Sequence, residues 1–98
     1  MEKRTPHCSL ERIRALVSAG RISPTTASLR GAQALGMDYP DMLEIINGLE
    51  RRDFQKSMTC HGDYRVWQDV YRPLTGKGYV YLKLSVVDDV LIVSFKEL

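Results

Sequence analysis

With 98 residues, 44% hydrophobic and 27% charged, the chain has the size and composition of one globular domain, spanning 1–98, and is neither long enough for two nor polar enough for disorder. A net charge of +2 permits nucleic-acid binding without requiring it, and two cysteines cannot staple a small secreted domain. No apolar segment follows Met1–His7, and the longest uncharged apolar run, Val90–Val93, is far shorter than a membrane span; neither a signal peptide nor a membrane anchor is expected, and a reducing cytoplasm is.

The first half reads as helices. Ser9 caps a helix whose apolar residues Leu10, Ile13, Leu16 and Val17 recur at spacings of three and four, and Gly20 ends it. Ser23-Pro24 has the pattern of a second helix start, a cap residue followed by proline, with Ala27, Leu29, Ala32, Ala34 and Leu35 leading to Gly36. A third helix begins near Pro40, with Asp41 in its first turn and Leu43, Ile46 and Leu49 on one face.

The second half reads as strands. Phe54–Thr59 alternates, and Arg65–Arg72 alternates again with Trp67 and Tyr71 on one side. Loops are expected at Cys60–Tyr64 and Pro73–Gly78, the latter with Gly76-Lys77-Gly78 as turn chemistry rather than a phosphate loop. Tyr79–Val87 and Val90–Lys96 form a hairpin around Asp88-Asp89, and a two-residue turn fixes its register. Tyr81 then faces Lys96, Lys83 faces Ser94 and Ser85 faces Ile92 on one side of the sheet. The core side pairs Leu82 with Phe95, Leu84 with Val93 and Val86 with Leu91. Between the second and third long strands, a four-residue loop sets Arg72 opposite Lys77, Gln68 opposite Tyr81 and Trp67 opposite Leu82; a six-residue loop keeps Gln68 on the Tyr81 face. The face of Lys56 is not fixed by spacing. Helices followed by sequential antiparallel strands imply an α+β domain, with the helices on one sheet face.

The polar face gathers Gln68, Arg72, Tyr81, Lys83 and Lys96. A free phenol titrates near ~10, too high for a base at neutral pH, but adjacent ammonium groups favour its anion and stabilise charge growing on a phosphorane. Its bland alternative is a solvated sheet face, where lysine and tyrosine are routine. His7 and His61 have the chemistry of an acid–base pair, yet nothing brings them together. His7-Cys8 and Cys60-His61 make a poor zinc set, because adjacent side chains diverge. Cys60 has no visible catalytic partners, and Met37 and Met42 suit core filling between helices.

The segments Asp53–Met58, Trp67–Pro73 and Asp89–Glu97, together with the opening Met1–His7, resemble the motility quorum-sensing regulator (MqsR) toxins, and the likeness runs end to end. The resemblance implies a RelE-like fold and the ribonuclease half of a bacterial type II toxin–antitoxin pair. It implies cleavage of messenger RNA at GCU-type sites, without metal, cofactor or ribosome, and growth arrest as the result. It carries activity onto Lys56, Gln68, Tyr81 and Lys96, with Arg72 and Lys83 left to guide the RNA backbone. Its implied partner is an antitoxin with a zinc-binding N-terminal part and a DNA-binding helix-turn-helix part, so that DNA is met only through the antitoxin. A non-catalytic module binding RNA or protein through the same face, or a degenerate toxin, is the alternative.

Overall fold

The computed structural model describes residues 1–98. Three helices, α1 (Leu10–Ser18), α2 (Thr26–Ala34) and α3 (Tyr39–Asn47), precede five strands, β3 (Phe54–Cys60), β4 (Asp63–Tyr71), β5 (Leu74–Thr75), β6 (Gly78–Val86) and β7 (Val90–Glu97). The N-terminal half adds two short strands, β1 (Glu2–Lys3) and β2 (Ile22–Pro24). The sheet order is β1-β3-β4-β6-β7-β2, with β5 paired to β6, and only β2 on β7 is parallel. The architecture is the expected α+β arrangement, made mixed by β2.

Each helix starts where a side chain satisfies its free amides. Ser9 accepts from Arg12 N–H, Thr25 from Ser28 N–H and Asp38 from Asp41 N–H. The second of these corrects the sequence reading: Ser23-Pro24 is not a helix start but lies in β2, and the helix begins two residues later. Proline is tolerated there because β2 is a sheet edge. The helices bury Ile13, Leu16, Ala32, Met42 and Ile46 against Tyr71, Val80, Leu82, Leu84, Val90, Ile92 and Phe95 of the sheet. At Gly31, α2 approaches β7 so closely that a Cβ there would lie 1.8 Å from the Phe95 carbonyl oxygen.

The terminal hairpin keeps Tyr81 opposite Lys96, Lys83 opposite Ser94 and Leu82 opposite Phe95, as the sequence suggests. Nearer the turn the register differs. Val86 faces Val90, so the connection has three residues, Val87–Asp89, rather than the two expected. A bulge at Val93 takes up the difference. The extra residue reverses the faces on the turn side: Ile92, expected on the polar face, is fully buried, and Leu91, expected in the core, is 39% exposed. Thr25 secures the bulge, its amide donating to the Ile92 carbonyl at 3.0 Å and its hydroxyl to the Val93 carbonyl at 3.0 Å.

The β4–β6 pairing also differs in offset but not in parity. The turn contracts to Gly76-Lys77, flanked by Thr75 opposite Gly78 and Leu74 opposite Tyr79. Thr75 Oγ1 holds it, accepting from Lys77 N–H and donating to the Gly78 carbonyl. Gln68 therefore faces Ser85 rather than Tyr81, and Tyr71 rather than Trp67 faces Leu82. Trp67 remains on the helix side, beyond the helices, where His7 stacks on it at 5.7 Å and Lys3 Nζ lies 4.1 Å from its centroid. The buried Asp69 carboxylate anchors that N-terminal strap by accepting from the amides of His7 and Cys8 at 3.0–3.1 Å. Such charge-assisted bonds contribute about 1.5–3 kcal/mol each.

Candidate active site

On the sheet face away from the helices, the ladder lines up side chains in rows. Lys56 faces Val70, Val70 faces Lys83 and Lys83 faces Ser94, so one row crosses four strands. A bulge at Gln55 sets the face of Lys56, which spacing alone leaves open. Val80 N–H donates to the Pro73 carbonyl, carrying the β4–β6 register past the end of β4. Arg72 is thereby opposite Tyr81, which in turn faces Lys96. A third row contains Met58, Gln68 and Ser85.

The middle of the face is not open to solvent. Val70 is fully buried on it, between the row partners Lys56 and Lys83, whose aliphatic stems can shield it while their ammonium groups reach out. Tyr81 lies between two cations: Lys96 Nζ is 5.3 Å and Lys83 Nζ 6.0 Å from its ring centroid. With Arg72 opposite, three positive side chains neighbour one phenol. On the other side of Arg72, whose amide donates to the Asp53 carbonyl at 2.7 Å, the row ends at Asp53, and that carboxylate accepts from the Glu50 amide.

The remaining two sequence candidates stand apart. Sheet spacings of about 4.8 Å between strands and 3.4 Å per residue place the Lys56 and Tyr81 backbones about 12 Å apart, and Gln68 about 14 Å from Tyr81. Lys56 and Gln68 are closer to each other, about 8 Å by the same measure. The face thus holds a Tyr81–Lys96–Arg72–Lys83 cluster and a Lys56–Gln68 pair. The contact of Gln68 with Tyr81 expected from a four-residue loop is not formed.

Sequence reasoning missed Glu2. Strand β1 pairs Glu2 with Met58 on this same face, and its Oε1 lies 3.1 Å from Lys56 Nζ. Lys56 keeps 27% of its side chain exposed and Glu2 56%, so the ion pair contributes no more than about 1 kcal/mol and an incoming phosphate can compete for the ammonium. No periodicity signal in the helices and strands points to a strand of two residues at the extreme N-terminus.

The other candidates do not converge. His7 stacks on Trp67 on the helix side, Cys8 is buried in the core, and Cys60 and His61 stand at the β3–β4 turn. Burial pushes the Cys8 thiol above its ordinary range, with Arg12 opposing that rise and Asp69 adding to it.

The family described as "Motility quorum-sensing regulator, toxin of MqsA" matches residues 5–97. The chain belongs to this toxin family. It is 53% identical over 97 residues, 99% of both chains, to the mRNA interferase toxin MqsR of Escherichia coli (strain K12). Within the family fold, no helix of this chain is long and apolar enough to cross a membrane.

Proposed function

We propose that the polar sheet face cleaves messenger RNA by attack of a ribose 2′-hydroxyl on its own 3′-phosphodiester. The chain is an endoribonuclease, the toxin of a toxin–antitoxin pair. The observation that carries the mechanism is the row in which Tyr81 lies between Arg72 and Lys96, with Lys83 beside it.

Each group has a role set by its place. As the 2′-oxygen bonds to phosphorus, Tyr81 either takes the hydroxyl proton in its phenolate form, becoming the phenol, or polarises the hydroxyl by a hydrogen bond while the proton passes to water. Lys96 holds the non-bridging oxygens, where negative charge grows, and Arg72 and Lys83 bind the flanking backbone. The bond to the 5′-oxygen breaks, and that oxygen takes a proton from a lysine ammonium or from water. Lys56 grips the neighbouring phosphate, exchanging its contact with Glu2, while Gln68 hydrogen-bonds and orients the next part of the strand. None of these steps requires a metal or a ribosome. The family resemblance supports GCU-type sequences as the preferred sites. The resemblance supports an antitoxin that binds zinc and has a DNA-binding helix-turn-helix part, so that zinc belongs to the partner, and the toxin's place of action is the cytoplasm.

Mapping of cuts on a defined transcript tests this reading. The purified protein is expected to cut at GCU-type sites without ribosomes and at undiminished rate in excess EDTA. Intact RNA after incubation with the folded protein would favour a non-catalytic binding module, and inhibition by EDTA would overturn the metal-free mechanism.

A further inference from the structure

Beside the Tyr81 row is a second recess with a different lining. Tyr79, two residues before Tyr81 on β6, shares its face by strand alternation and is 53% exposed. Arg52, Phe54, Gln55 and Arg72 join it around a cleft of about 300 Å3. Gln55 is the extra residue of the β3 bulge, and Arg52 comes from the short 3-10 turn before that strand. The Phe54 ring is fixed edge-on by Tyr71, at 5.5 Å and 71°, and Arg51 lies over it at 4.8 Å.

The lining has the chemistry that an unpaired nucleobase needs. Aromatic rings offer a stacking surface, a carboxamide both donates and accepts along a base edge, and guanidinium groups serve phosphates or the acceptors of a base. No carboxylate lines the cleft; Glu50 pairs with Arg52 at 2.9 Å from outside it. A larger cleft of about 480 Å3, between α3 and the Gly76-Lys77 turn, includes Asp41 and Glu44, which repel a polyanion. Another, of about 370 Å3 at the start of α1, includes His7 and Cys8 from the strap on the opposite side of the sheet. Arg72 belongs both to the Tyr81 row and to the Tyr79 cleft, so the two are continuous.

We infer that this cleft binds the base of a nucleotide flanking the scissile phosphate and sets part of the sequence preference. Tyr79 stacks on the base, Gln55 reads its edge, and Arg72 links base and phosphate. The inference rests on the proposed cleavage at Tyr81.

Kinetics on a short RNA and cut-site mapping on a randomised RNA pool test it, using Tyr79→Ala, Tyr79→Phe, Gln55→Ala and Tyr81→Phe. Loss of one stacked base is expected to raise KM about tenfold in Tyr79→Ala, with kcat within about twofold. Tyr79→Phe should retain the parent KM, and Gln55→Ala should relax preference at one position beside the cut. A merely structural role would not alter preference at a single position. Unchanged KM and cutting pattern in Tyr79→Ala and Gln55→Ala, with Tyr81→Phe inactive, would overturn the subsite alone. An active Tyr81→Phe would instead overturn the reading on which it rests. If Tyr79→Ala melts early, Gln55→Ala carries the decision, since its expected change is in preference rather than affinity.

Discussion

Tyr81→Phe is expected to lower kcat for RNA cleavage by at least about a hundredfold while KM stays within about threefold. The substitution removes one oxygen and leaves the ring between Lys83 and Lys96, so the cationic face that binds RNA is kept. If the hydroxyl takes part only as the 2′-oxygen attacks, its loss appears in turnover rather than in affinity. Tyr71→Phe is the matching control. Tyr71 is fully buried on the opposite side, its hydroxyl has no hydrogen-bond partner, and burial, with Asp69 adding to it, holds its phenol well above the ordinary range. Removing that hydroxyl breaks no hydrogen bond, and cleavage should remain at the parent level. Steady-state kinetics of both variants on one substrate separate a chemical role for Tyr81 from a general sensitivity to losing a phenol.

Gly31→Ala should be among the most destabilising single-methyl changes in the chain. The added Cβ would meet the Phe95 carbonyl oxygen at 1.8 Å, with the Phe95 carbonyl carbon at 3.0 Å and Lys96 Cα at 3.4 Å, all of them backbone atoms that no rotamer change can move. Helix α2 must then retreat from β7, opening the contact beneath Phe95. Overpacking of this kind costs about 3 kcal/mol, near the upper end of the usual range. The better helix propensity of alanine returns only about 1 kcal/mol. Because the strained atoms belong to Phe95 and Lys96, the folded fraction should also cleave more slowly. Chemical denaturation gives the first effect, and activity per folded molecule gives the second. A parent-like midpoint would show that α2 and β7 do not approach as described.

Much of this face was legible in the chain because strand alternation depends on parity alone. Loops of two, four or six residues before β6 all leave Gln68, Arg72 and Tyr81 on one face, so the face survived an error in offset. Which residue faces which was less legible. Thr75 holds a two-residue turn through its own hydroxyl, a contact that a reading of Pro73–Gly78 as one loop does not include. Near the last turn, two departures cancelled: a longer connection and the Val93 bulge together return Tyr81 to Lys96. Between them, Ile92 and Leu91 exchanged faces. The bulge depends on Thr25, some seventy residues away in the chain, and no local pattern reports such a contact. The same limit hid Glu2, whose strand exists only because β3 offers an edge. Tyr79, by contrast, shares the parity of Tyr81 and was visible to the rule that found its neighbour.

The chemistry of the cut ends tests most directly whether one phenol and its surrounding cations act on a single phosphodiester. A short RNA containing a mapped site, and a copy with 2′-deoxy sugar only at the attacking position, should be incubated with the purified protein. The all-ribose strand should yield a 2′,3′-cyclic phosphate and a 5′-hydroxyl, and the substituted strand should remain whole. Cutting of the deoxy-substituted strand at that position, or products bearing a 5′-phosphate, would contradict attack by the 2′-hydroxyl on this sheet face.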